Sequence, residues 1–236
     1  MDAVTPEARL QAVKDALDGL DLTDDSAVVR KRSRDFFWYS PILNRQLHGL
    51  SADMVVTPTS EEEVIRIAAV CAQHRVPLTV RGGATGNYGQ AVPLQGGVLL
   101  DMTAMNRILG AKPGWLRVEP GAKMGAIDGA LAETGWELRL HPSTKRTATI
   151  GGFVAGGSGG VGSVTYGGLR EPGNILAAKV VTLEPAPRVL SLRGDAAQKI
   201  NRAYGTTGII TELEMPLAPR WAWQDVIVAF DDFYAA

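Results

Sequence analysis

The sequence is short of the residues that make covalent staples and metal centres. Its 236 residues include a single cysteine, Cys71, which rules out an internal disulfide and a cysteine-cluster metal site. The three histidines, His48, His74 and His141, are scattered without ligand spacing, so no metal is expected. No apolar run reaches the roughly 18 residues that span a bilayer, so no transmembrane segment is expected. The opening Met1-Asp2-Ala3-Val4-Thr5-Pro6-Glu7 has neither the charged nor the apolar region of an export signal, and a cytoplasmic location is expected. Neither sign of charge dominates. A formal net charge of -1 gives no general attraction to nucleic acid.

What the chain does have is a 45% apolar content, enough for one large domain or two small ones, and 27 glycines clustered at 82–97 and 151–173. The first cluster contains Arg81-Gly82-Gly83-Ala84-Thr85-Gly86-Asn87-Tyr88-Gly89-Gln90, directly after the short apolar run Val76-Pro77-Leu78-Thr79-Val80. Glycine is kept at such density where the backbone takes positive φ or comes very close to something. Inward-turned amides form a nest for anions, whose natural guest is a phosphate or pyrophosphate, and a dinucleotide cofactor is expected.

Around this loop the pattern is mixed. Thr5-Pro6 with Leu10, Val13, Leu17 and Leu20 reads as a capped helix in an N-terminal arm, residues 1–49. A basic and aromatic run, residues 29–39, reads as a solvated basic turn beside docked aromatics; a membrane-surface or nucleic-acid contact is its alternative. Residues 53–56 read as a strand. Ser60 and Glu63 form a capping box before a helix with Val64, Ile67, Ala68 and Cys71 on one face, and Cys71 is thus a core residue. Strands are expected at 76–80, 98–100 and 116–118, and a helix from Lys123 to a left-handed cap at Gly135. The stretch from His141 to Gly173 reads as one long functional loop. A hairpin at 178–192, a helix near 196–203 and a strand at 209–213 follow. Val226-Ile227-Val228-Ala229-Phe230 reads as a final strand without a partner.

Two phosphate motifs fail. A P-loop needs Gly-Lys-Ser/Thr, which is absent; the Rossmann spacing is met only by Gly157-Ser158-Gly159-Gly160-Val161-Gly162, which no strand precedes. The 81–90 loop instead places Gly83, Gly86 and Gly89 at intervals of three. From Val80 to Pro93 it resembles the pyrophosphate loop of the vanillyl-alcohol oxidase / p-cresol methylhydroxylase flavoproteins, nearest the D-lactate dehydrogenase and glycolate oxidase catalytic subunit branch. Three further segments agree in order: Arg117-Val118-Glu119-Pro120-Gly121, Thr149 to Gly160, and Gly205 to Thr211.

The resemblance implies an α+β fold of two packed α/β subdomains, about 50–118 and 119–218, forming a p-cresol methylhydroxylase-type FAD-binding domain. Residues 219–236 would then begin a truncated or missing cap domain for the substrate. It places the FAD pyrophosphate on the amides of Gly82 to Asn87, with Arg81, Tyr88 and Gly89 flanking. Pro142, Ser143, Thr144, Thr149, Gly151, Gly152, Gly157, Ser158 and Gly159 would run along the flavin and ribityl side, and Ile209 would offer its backbone to adenine. Departures are Ala84 and Gln90 where glycines are usual, and Gly156-Gly157-Ser158 where an asparagine is common. No histidine is present in the first loop, so noncovalent FAD is expected. Implied partners are a small-molecule substrate and an electron-acceptor protein or quinone. The implied activity is hydride acceptance from a substrate carbon, with a 2-hydroxy acid as the substrate class. A noncatalytic FAD-holding subunit and a flavin-free nucleotide-phosphate module are the alternatives. His141 is the local candidate for a polar group near the flavin, and Lys145, Arg146 and Arg170 are candidate anion partners.

Overall fold

A computed structural model describes residues 5–224 and 226–235 of the chain. Residues 1–4, which include the start read for an export signal, and Asp225 lie outside the described residues.

The chain order is α1 (Pro6–Ala16), β1 (Leu22–Thr23), α2 (Ser26–Arg32), α3 (Pro41–Leu47), β2 (Met54–Val56), α4 (Glu61–His74), β3 (Leu78–Arg81), β4 (Val98–Asp101), β5 (Ile108–Lys112) and β6 (Trp115–Val118). It continues with α5 (Met124–Leu131), β7 (Trp136–Leu138), α6 (Ile150–Gly156), α7 (Ser163–Tyr166), β8 (Ala177–Val181), β9 (Val189–Arg193) and β10 (Ile209–Pro219). Two sheets result. The first has the order β1-β2-β4-β3, with β2, β4 and β3 parallel and β1 antiparallel at the edge. The second runs β5-β6-β10-β8-β9, antiparallel throughout, with β7 pairing the far end of β10.

Local chemistry sets the elements of the first sheet. Thr5 Oγ1 accepts from Ala8 N at 3.3 Å and Pro6 opens α1, so the helix begins where its first amide needs no partner. Val13 and Leu17 are fully buried in the same core as α4, which makes the N-terminal arm part of this layer. Ser60 caps α4 through Glu63 N at 3.2 Å, while the Glu63 carboxylate takes Thr59 N at 2.6 Å, one residue before the usual partner. Val64, Ile67, Ala68 and Cys71 are each 0% exposed, and burying a side chain of the size of Ile67 contributes about 1.5–3 kcal/mol. Every residue of β4 is buried, as a central parallel strand covered on both faces requires.

The second sheet carries its own core, from Leu116 and Val118 through Met124, Ile127 and Leu131 to Leu213 and Leu217. Val181 and Ile209 join the first core, so the two sheets share buried surface where β8 and β10 begin or end.

Three sequence expectations differ from the fold. The glycine-rich stretch 141–173 is not one loop, because Ile150, Phe153 and Val154 supply a buried helical face at i, i+3, i+4 and Thr149 caps it, giving α6. The helix expected near 196–203 is a 3₁₀ turn, Gly194–Ile200. Residues 226–230 form no strand; Val226, Ile227, Val228 and Phe230 are exposed, and among the described residues no strand pairs with them.

Candidate functional site

Between the sheets lies a cavity of about 760 Å³. The loop joining β3 to β4 forms one wall, with Arg81, Gly82, Gly83, Ala84, Thr85, Gly86, Asn87 and Tyr88 all lining it. The opposite wall brings in Pro120, the Pro142, Ser143 and Thr144 turn, then Thr149, Gly151 and Gly152 at the start of α6, and Gly157 and Ser158 beyond its end. Segments distant in sequence therefore face one space. Gly89, Gly159 and Ile209 do not line it.

Only part of the loop's glycine content serves unusual backbone angles. Positive φ falls on Ala84 (48°) and Gly89 (80°), whereas Gly82, Gly83 and Gly86 are outside that region. At Gly82 and Gly83 the requirement is space: a Cβ would lie 2.2 Å from Thr149 Oγ1 and 2.5 Å from Thr147 O. The loop thus rests directly on the segment that begins α6. Thr149 Oγ1 joins them, accepting from Gly83 N at 3.4 Å and from Gly152 N at 3.3 Å.

The loop's other amides are not spent in this way. Gly83 N donates to Thr149 and Tyr88 N to Gln90 Oε1, but among the described residues the amides of Ala84, Thr85, Gly86 and Asn87 have no protein acceptor. Residues 84–86 are half-buried and Asn87 is exposed, so these amides are accessible to a ligand as well as to water. Four in succession, on a wall of this cavity, are suited to an anionic ligand.

Buried charge supports the loop from beneath. Asp101, at the end of β4, is fully buried; its Oδ2 lies 2.6 Å from Arg32 Nη1 and 3.7 Å from Arg81 Nε. Its Oδ1 accepts from Thr103 N at 3.1 Å and Thr103 Oγ1 at 2.7 Å. Arg81 also donates to the carbonyls of Arg32 and Gly82, so its cation is committed within the protein. Burial pulls the Arg81 guanidinium below its ordinary pKa, and Asp101 offsets part of that shift.

The arm contributes a wall the sequence reading did not assign. Phe36 N donates to Gly86 O at 2.8 Å, and Asp35, Phe36 and Tyr39 line the cavity. Asp35 is 2% exposed, with Oδ1 accepting from Phe37 N at 2.9 Å and Oδ2 lacking a partner of good geometry. Burial pushes its carboxyl above the usual range; the amides of Phe37, Gly89, Gln90 and Ala91 offset part of that rise.

On the far wall, a Cβ at Gly151 would lie 2.5 Å from Pro120 Cβ and 2.8 Å from Pro120 O, so α6 meets the turn after β6 at backbone distance. Glu119, 3% exposed, holds that turn by accepting from Arg107 N at 2.8 Å and Arg107 Nη2 at 2.7 Å. On β10 the alternation of faces decides the lining: Ile209 is buried in the core of the first sheet, and Gly208 and Ile210 meet the cavity. Arg202, Tyr204 and Gly205 also line it. Arg202 and Tyr204 were missed because nothing in their sequence distinguishes them from an ordinary turn, whereas Gly205 opens the last segment of the resemblance. His141, Arg146 and Arg170 do not line the cavity, and Lys145 is paired with Asp128. Cys71 is buried in the core, where desolvation pushes its thiol up to about 12.

A cavity between a parallel and an antiparallel sheet, with a row of amides free of protein acceptors among the described residues, is suited to a phosphate-bearing ligand. The FAD binding domain family matches residues 52–186, and the chain belongs to that family, of the p-cresol methylhydroxylase type. It is 34% identical over 206 residues to the glycolate oxidase subunit GlcD of Escherichia coli (strain K12), covering 81% of this chain and 40% of that protein. It is 36% identical over 174 residues to the mitochondrial D-lactate dehydrogenase [cytochrome] of Arabidopsis thaliana, covering 70% of this chain and 30% of that protein. Among solved structures, alkyldihydroxyacetonephosphate synthase superposes with a TM-score of 0.75 at 26% identity, over 91% of this chain and 44% of that one. Physcomitrella patens BBE-like 1 shares the fold, with a TM-score of 0.71 at 18% identity over 87% of this chain and 44% of that one. The chain thus spans less than half the length of each. No helix among the described residues is long and apolar enough to cross a membrane.

Proposed function

We propose that the chain holds FAD noncovalently, as the cofactor-binding portion of an oxidoreductase that removes a hydride from a substrate carbon, with a 2-hydroxy acid as the substrate class. The observation that carries this reading is the run of four amides, Ala84 to Asn87, without protein acceptors on the wall of a 760 Å³ cavity in a chain of the FAD-binding family. The cavity fits such a group in size and chemistry. Ala84, Thr85, Gly86 and Asn87 would receive the pyrophosphate. The flavin and ribityl side would lie along the wall formed by Pro142 to Thr144, Gly151, Gly152, Gly157 and Ser158. Bound flavin supplies a ring that accepts a hydride; the protein binds it, orients it and keeps water from it. Among the described lining residues there is no histidine or cysteine, which supports noncovalent attachment.

The same lining supports a second reading. Among the described lining residues there is no histidine, lysine or glutamate, and Asp35, their one carboxyl, is 2% exposed, so this reading takes a base for a substrate hydroxyl from elsewhere. In that reading the chain is an FAD-holding subunit that reacts only with a partner chain. Two measurements decide between them and test both. Flavin absorbance of the purified chain, released by acid precipitation, supports noncovalent FAD; a colourless chain that takes up no added FAD removes both readings. Bleaching of bound flavin by glycolate or D-lactate supports the enzyme, and bleaching only after a second chain is added supports the holder.

A further inference from the structure

Four non-glycine residues among those described adopt positive φ: Arg75 (54°), Ala84 (48°), Arg202 (56°) and Tyr204 (51°). Arg75 is the left-handed cap of α4. The other three all line the cavity. A left-handed backbone disfavours any side chain with a Cβ, and such strain persists only where surrounding contacts impose it. Here those contacts are two amides: Arg202 N donates to Val154 O at 3.2 Å and Tyr204 N to Ala155 O at 3.0 Å, at the C-terminal end of α6. Glycine would occupy both positions without strain, yet the chain places a guanidinium and a phenol ring there, on the wall facing the free amides.

Charge sharpens the point. Arg81 and Arg202 are the two cations in the described lining. Arg81 is committed to Asp101 and two carbonyls, while Arg202 makes no ion pair or side-chain hydrogen bond among the described residues. A diphosphate held by neutral amides alone still lacks a counter-charge. A guanidinium pairs with phosphate through charge-assisted hydrogen bonds, and a ring two residues away can stack on a purine.

We propose that Arg202 and Tyr204 grip the adenosine-diphosphate end of FAD, Arg202 as the counter-charge to the phosphates and Tyr204 as the surface for the adenine. The assignment rests on the FAD reading above and makes both residues positioning groups rather than catalytic ones.

The test titrates FAD, ADP and riboflavin against the flavin-free wild-type chain and the variants Arg202→Gly, Arg202→Lys and Tyr204→Gly, each at low and high salt. Arg202→Gly should weaken FAD and ADP about tenfold, the scale of one charge-assisted hydrogen bond, and flatten their salt dependence. Riboflavin, which has no phosphate, should bind as before, and the flavin-free melting temperature should not fall, because glycine relaxes the left-handed backbone. Arg202→Lys should retain most of the affinity, and Tyr204→Gly should weaken FAD and ADP without changing the salt slope. Unchanged FAD and ADP affinity in Arg202→Gly, or an equal loss of riboflavin, overturns the assignment while leaving the FAD reading intact. Failure of the wild-type chain to bind FAD overturns both.

Discussion

On the β3–β4 side of the cavity the backbone is anchored from beneath by charge: Asp101, Arg32 and Arg81 lie below the loop, and Asp35 faces the amides at its far end. On the α6 side the ion pairs stand apart, Arg107 with Glu119 and Lys145 with Asp128, and α6 itself is positioned by contact, with Gly151 against Pro120 and Gly157 against Arg202. The difference follows from what each wall offers. A loop that leaves four amides unbonded cannot hold itself by backbone hydrogen bonds, so side chains must fix it. A helix spends its own amides internally and needs only a close neighbour. Thr149 Oγ1 is the point where the two schemes meet.

Three substitutions separate these schemes, in order of expected effect. Asp101→Ala should destabilise the chain by about 3–5 kcal/mol in urea unfolding, because it strands the buried Arg81 cation. A loss of less than about 1 kcal/mol would mean that the ion network does not hold the loop. Thr149→Ala removes a helix cap and the link between the walls, and should cost about 1 kcal/mol with a fall in FAD affinity. If stability falls and FAD affinity stays constant, Thr149 belongs to α6 alone. Ala84→Gly relieves positive φ on the first wall and should leave stability unchanged or raise it by at most about 1 kcal/mol. A marked drop in the midpoint of thermal unfolding would show that the Ala84 methyl is a packing group.

Much of the fold was legible because its signals were local. The capping box at Ser60 and Glu63, the buried run of β4 and the left-handed cap at Gly135 (φ 78°) each follow from a few adjacent residues. α6 was hidden because its glycines imitate a loop; the apolar spacing of Ile150, Phe153 and Val154 was the available signal, and the contact of Gly151 with Pro120 explains the glycine. The expected strand at 226–230 had strand composition but no neighbour, and pairing is a tertiary fact.

The same distinction runs through the site. Residues 81–88 were readable from glycine density, and the two reasons expected for it divide among the glycines: positive φ at Gly89, and close approach to Thr149, Thr147 and Gln90 at Gly82, Gly83 and Gly86. Asp35, Arg202 and Tyr204 reach the cavity through long-range folding, and no pattern in their neighbourhoods announces it. Ile209 and Ile210 differ by one step along a strand, and that step exchanges the first core for the second, where Ile210 also meets the cavity.

The central claim is that this cavity takes up FAD without a covalent bond. Titrating the flavin-free chain with FAD, followed by acid precipitation and absorbance of the supernatant, tests it most directly. Saturation at one FAD per chain, with all the flavin recovered in the supernatant, is the expected result. A chain that binds no FAD, or flavin that stays with the precipitated protein, would contradict it.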